Sequence, residues 1–136
     1  MSSYISLLKD AKRDLAGDFA PDGMLARQAL LLAERTAAVA DSCPPGQAAG
    51  WDMFGAYLAD AVAELEADLD DPAVLTQEVD PAGSDADELR EEAAGLARWL
   101  ADLYASAAAG EAGSGWRRLV WAAVARRLDD AAAELS

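Results

Sequence analysis

The chain has 136 residues, 53% of them hydrophobic and 26% charged, with 25 acids against 11 bases and a formal charge of −14. That composition describes a single domain over residues 1–136 with enough apolar material for a core. There is no histidine and only one cysteine, Cys43, which excludes Ser-His-Asp and Cys-His catalysis, zinc sites that use histidine, the Glu-x-x-His di-iron bundle, an internal disulfide and cysteine-based metal clusters.

Alanine makes up about a quarter of the residues and Ile5 is the only isoleucine, a bias that favours closely packed helices over strands. An acidic surface repels a phosphate backbone, and the basic clusters Lys9, Lys12, Arg13 and Arg117, Arg118, Arg126, Arg127 are small and mixed with acids. No direct nucleic-acid binding is expected. The first ten residues lack a charged stretch followed by a long apolar run, and no segment has the apolar length of a membrane span. A cytoplasmic location with no membrane association is the expectation.

Placing residues at about 100° per step predicts five amphipathic helices and no strand. The first covers residues 3–17, with Tyr4, Leu7, Leu8, Ala11 and Leu15 on one face, and Pro21-Asp22-Gly23 marks the turn after it. The second covers 22–42. Leu25, Ala29, Leu32, Thr36 and Val39 form its main face, while Leu30 and Leu31 fall on either side. So wide an apolar arc suggests a central helix or a homodimer contact through residues 22–42. Cys43-Pro44-Pro45-Gly46 breaks it.

The third helix, 48–70, has the cleanest stripe: Trp51, Phe54, Leu58, Ala61, Val62, Leu65 and Leu69, stopped by Asp70-Asp71-Pro72. Residues 73–79 are expected to add at most a short turn, followed by a loop at 80–84. The fourth, 85–109, opens on Asp85 and Glu88 in capping-box spacing and turns Leu89, Ala93, Leu96, Leu100, Leu103 and Tyr104 inward. The fifth, 115–135, buries Val120, Trp121, Val124, Leu128, Ala131 and Leu135. Long helices with short loops predict an all-α, single up-and-down bundle of four to five helices, about 30 Å long.

In that topology the end of the second helix, the start of the third, the end of the fourth and the start of the fifth share one end of the molecule. Trp51, Phe54, Tyr104, Trp116 and Trp121 would gather there with Trp99 on the flank, and such aromatics either plug the bundle or line a pocket. Arg117 falls on the buried line of its helix and calls for an anionic partner, so a ligand carrying a carboxylate or phosphate would fit beside it.

The opposite end is expected to collect Asp18, Asp22, Asp68, Asp70, Asp71, Glu78, Asp80, Asp85, Asp87 and Glu88. Asp60, Glu64 and Asp68 stand at i, i+4 and i+8, where like charges repel and something must offset the cost. The acids read as a solvated face, as a docking surface for a basic protein through Asp60, Glu64, Asp68, Asp70 and Asp71, or as a divalent-metal site. The metal reading fails on spacing: the stretch Asp80–Glu91 has Ala82 and Asp85 at the third and sixth places of a calcium loop. Glu88 and Glu91 resemble the first half of the magnesium motif of all-helical nucleotide pyrophosphohydrolases, but the second half, Glu-x-x-Asp, does not follow.

No catalytic residue, metal site or cofactor is nominated. The expected function is that of an acidic helical interaction protein, an adaptor, antitoxin or immunity-type factor with a protein partner. The alternative is a small-molecule binding bundle whose pocket is built from Trp51, Phe54, Trp99, Tyr104, Trp116, Arg117 and Trp121.

Overall fold

Each helix begins and ends where local chemistry changes. The computed structural model describes residues 2–38, 48–75, 79–80, 86–111 and 113–136. Ser3 opens α1 (Tyr4–Gly17) by accepting the Ser6 N–H on its hydroxyl at 3.2 Å, the usual way to satisfy a first-turn amide. Ser114 does the same for α5 (Gly115–Leu135), accepting from the Arg117 N–H at 3.2 Å. Between them lie α2 (Met24–Thr36), α3 (Trp51–Glu66) and α4 (Ala86–Ala109). A two-residue parallel bridge pairs Ser2–Ser3 with Val79–Asp80.

The expected all-α bundle is present: five helices packed against one another. Helix α2 ends at Thr36 and α3 at Glu66, short of the expected 42 and 70. Residues 39–42, with Val39 on the expected face, lie outside the described residues, as do Cys43 and the Asp85 of the expected capping box. The Glu66 carboxylate accepts the Ala73 N–H at 2.7 Å and turns the chain out of helix α3 before Asp70-Asp71-Pro72 is reached.

Helix directions follow from contacts at the two ends. At the near end, the Tyr4 hydroxyl donates to the Arg35 carbonyl at 3.3 Å, and Arg90 donates from Nε to the Leu135 carbonyl at 2.9 Å. Gly50 also sits there, with φ +87° and so close to the Glu134 carbonyl that a Cβ would lie 2.1 Å from it, so backbone conformation and space both require glycine. The near end thus gathers the starts of α1, α3 and α4 with the finishes of α2 and α5. At the far end the Tyr104 hydroxyl donates to the Pro21 carbonyl at 2.7 Å, and Arg117 reaches the Leu65 carbonyl at 3.1 Å.

Helices α3 and α4 therefore run in the same direction, and the expected sharing of ends by strict alternation is corrected. The reason is the connection at 67–85. Its length far exceeds a hairpin loop, and extended chain at about 3.3 Å per residue spans the bundle with room to spare. Arg27 and Glu66 hold its beginning at the far end, whereas Val79–Asp80 pairs with the near-end residues Ser2–Ser3. Helix α5 fills the space between α3 and α4, packing against both.

The interior is built from Leu8, Leu15, Leu30, Leu58, Leu65, Leu100 and Leu128, together with Trp51, Phe54 and Tyr104. Burying each leucine contributes about 1.5–3 kcal/mol. Buried alanines line both sides of the most extensive contact, Ala93, Ala97 and Ala101 on α4 and Ala125 and Ala132 on α5. Their small side chains let the two backbones approach closely. On α2, Leu30 and Leu32 are buried, and Leu31 shares a surface cavity of about 410 Å³ with Val74 and Leu75. Leu25, expected on the main face, lies in the first turn and is 47% exposed. No helix among the described residues is long and apolar enough to cross a membrane.

Candidate functional site

A polar network closes the far end of the bundle. Asp22, in the turn before α2, accepts from Arg117 through a bidentate contact, Nε to Oδ2 at 3.1 Å and Nη2 to Oδ1. Its Oδ1 also accepts the Trp121 indole N–H at 3.0 Å. The buried-side position of Arg117 demanded an anion, and Asp22 from the same chain supplies it. Gly113 (φ +84°) turns the chain ahead of α5 directly over the Trp121 ring, where a Cβ would lie 2.6 Å from Cη2.

Beside this pair stands a second one. Arg27 is 4% exposed and donates to Glu66 at 3.0 Å and to the Asp71 carbonyl at 2.5 Å. Tyr104 feels the charge of both cations and stands edge-on to Phe19 with centroids 5.3 Å apart. Burial, and then the nearby Asp22 charge, pushes its phenol far above the ordinary tyrosine range, so it stays protonated and donates. Arg27 Nε and Arg117 Nη1 have no partner among the described residues.

The residues of the expected aromatic pocket do not share one place. Trp51 and Phe54 are buried at the near end, edge to face with centroids 5.6 Å apart. Trp99 is half-buried, with the Lys12 ammonium 5.6 Å from its ring. Tyr104, Trp116, Arg117 and Trp121 belong to the far end. Their separation follows from the parallel course of α3 and α4. Trp116 stands apart from the other aromatics: it is 63% exposed, yet its indole N–H is held by Asp68 Oδ2 at 2.6 Å.

The expected acidic set is ordered along the outer edge of α3 beside α5. Arg127 lies 3.5 Å from Asp60 and donates to Glu64 at 2.7 Å, which offsets the repulsion between these like charges. Its guanidinium is held still more firmly protonated, first by the hydrogen bond to Glu64. Asp68 accepts from Trp116, Asp71 lies 3.7 Å from Arg27, and Asp70 is exposed.

The broader gathering of acids at one end divides, because α4 starts at the near end. Asp87 and Glu88 stand in its first turn, and Lys9 approaches Glu88 and Glu92 at 3.8 and 3.7 Å. Asp80 pairs by its backbone with Ser3 at that same end. Asp18, Asp22, Asp68, Asp70 and Asp71 remain at the far end. Glu78 and Asp85 lie outside the described residues.

Sequence reasoning missed Arg27 and Glu66. Arg27 lies opposite the apolar face expected for α2, and its burial comes from residues 71–73 folding over it, which helical periodicity does not encode. Among the described residues no group of three or more acidic or cysteine side chains is arranged to hold a metal ion. No protein-family model, curated protein or solved structure matches the chain.

Proposed function

We propose that this chain is a small helical interaction protein, of the adaptor, antitoxin or immunity type, that captures a basic protein partner on the outer edge of α3. The observation that carries this reading is Trp116. A tryptophan exposed to 63% and hydrogen-bonded to Asp68 offers a pre-oriented apolar anchor at an acidic rim, the pairing that strong interfaces favour. A partner arginine can stack on the indole face while the exposed Asp70 receives a neighbouring cation, and Asp60 and Glu64, already paired with Arg127, add to the negative rim. The proposal places this encounter in the cytoplasm. The small-molecule alternative has less support: its proposed anion-binding residue, Arg117, is occupied by Asp22, and Trp51, Phe54 and Tyr104 are packed into the core.

The test is affinity isolation from the cells that make the protein, comparing the parent chain with Asp68→Lys and Trp116→Ala. The parent retains a basic protein that both variants lose and that raised salt releases. Retention of the same protein by both variants overturns the reading.

A further inference from the structure

Helices α1 and α2 run antiparallel, with Tyr4 beside Arg35 at the near end, and a furrow lies along the seam between them. At the far end it widens into a cavity of about 160 Å³ walled by Ala20, Met24, Leu25 and Ala26, with Asp18 among its walls. A smaller cavity of about 40 Å³ continues along the seam over Leu15, Ala29 and Leu32, beside Asp10 and Asp14, and Leu25 borders both. Met24 and Leu25 are 40% and 47% exposed, two adjacent large apolar side chains that the bundle leaves partly uncovered.

The charge around the furrow is of one sign. Three other cavities carry as many bases as acids in their walls: Arg35 with Glu34, Arg126 with Asp129, and Arg126 and Arg127 with Glu64 and Asp130. The furrow carries Asp10, Asp14 and Asp18 and no base. Helix α1 sorts its side chains to this effect. Lys9 approaches Glu88 and Glu92 and Lys12 lies over Trp99, both on α4, while the acids stand beside α2. Arg13 pairs with Asp10 at 2.8 Å but is 74% exposed and does not line the furrow. Asp14 and Asp18 have no ion pair among the described residues. Successive acids of this row stand about 6 Å apart along the helix axis, so each repels the next.

We infer that the furrow receives a basic amphipathic helix of another protein. Arginine or lysine at every fourth position of that helix matches the one-turn spacing of Asp10, Asp14 and Asp18 and relieves their mutual repulsion. The methylene stems of those side chains, with a leucine-sized residue between them, cover Met24 and Leu25, so apolar walls and an acidic rim in one furrow serve the same occupant. Charge also says what does not fit. An acidic segment, or a second copy of this chain with its net charge of −14, brings like charge against Asp14 and Asp18. Helix α1 packs on α2 and α4, whereas α3 packs on α5 and α2, so the furrow is separate from the outer edge of α3, and the inference does not rest on the role proposed for Trp116.

The probe is a synthetic helical peptide of about 16 residues, acetylated and amidated, with arginine at every fourth position and leucines on the same face. Amide shifts of the full chain at physiological salt locate its binding and fluorescence anisotropy gives the affinity. The shifts centre on residues 10–29. Asp14→Asn with Asp18→Asn weakens binding by about tenfold and Leu25→Ser by about fivefold, with helix content by circular dichroism unchanged because all three side chains are exposed. Asp68→Lys changes the net charge by the same amount as the Asp14 and Asp18 pair but leaves the affinity within about twofold of the parent. A peptide that fails to bind at millimolar concentration overturns the inference. So do shifts confined to Trp116 and the edge of α3, equal losses in the charge-matched variants, or equal affinity for a peptide with serine in place of every leucine.

Discussion

Arg117 and Asp22, 95 residues apart in the chain, meet in a bidentate pair that joins the start of α5 to the turn before α2. The same carboxylate accepts from Trp121, so removing it strands both a cation and an indole N–H, whereas removing Arg117 strands one partly solvated carboxylate. Asp22→Ala therefore destabilises by about 2–4 kcal/mol and Arg117→Met by less. Denaturant unfolding of both variants and their combination measures this, and the double variant costs less than the sum.

Glu66 serves Arg27 and the Ala73 N–H together. Glu66→Ala leaves a cation 4% exposed without its carboxylate and costs about 3–5 kcal/mol, and Glu66→Gln, which keeps an acceptor, costs less. Hydrogen exchange adds a local signature: the Ala73 amide loses protection in Glu66→Ala even under conditions where the helices remain folded.

How much of this was legible beforehand differs by level. Helix α5 falls on its expected boundaries and α4 ends at the expected Ala109, because their stripes are long and regular, so Leu89 through Tyr104 and Trp121 through Leu135 announce their buried sides. Direction was not legible, since the periodicity of α4 is the same whichever end it starts from. The length of 67–85 was the available signal for a return crossing. For the candidate site, Asp60, Glu64 and Asp68 were visible as a helical row and Arg117 as a buried cation. Their partners Arg127, Trp116 and Asp22 come from distant elements, and no local spacing joins them.

Two glycines separate backbone need from accident. Gly50 has φ +87° and faces the Glu134 carbonyl, so Gly50→Ala incurs both left-handed strain and a clash and costs more than about 3 kcal/mol. Gly95 lies inside α4 with open space where a Cβ would be. There Gly95→Ala raises stability by about 0.5–1 kcal/mol. Midpoints of thermal unfolding moving in opposite directions are the expected readout.

Tyr104 couples the stability of the fold to alkaline pH. Its folded-state pKa is raised by burial and by Asp22 above the unfolded value near 10.0. The folded protein therefore holds a proton that the unfolded chain releases above that pH. The stabilisation is fully present below about pH 10 and declines as pH rises beyond it, at up to about 1.4 kcal/mol per pH unit for this group. Tyr4, raised chiefly by burial, adds to the slope in the same direction. Tyr104→Phe loses the 2.7 Å bond to the Pro21 carbonyl and costs about 1 kcal/mol at neutral pH. The same variant flattens the alkaline decline, so the two proteins converge in stability as pH climbs past 10. Denaturant midpoints measured from neutral to strongly alkaline pH distinguish this from a uniform loss, in which the curves would stay parallel.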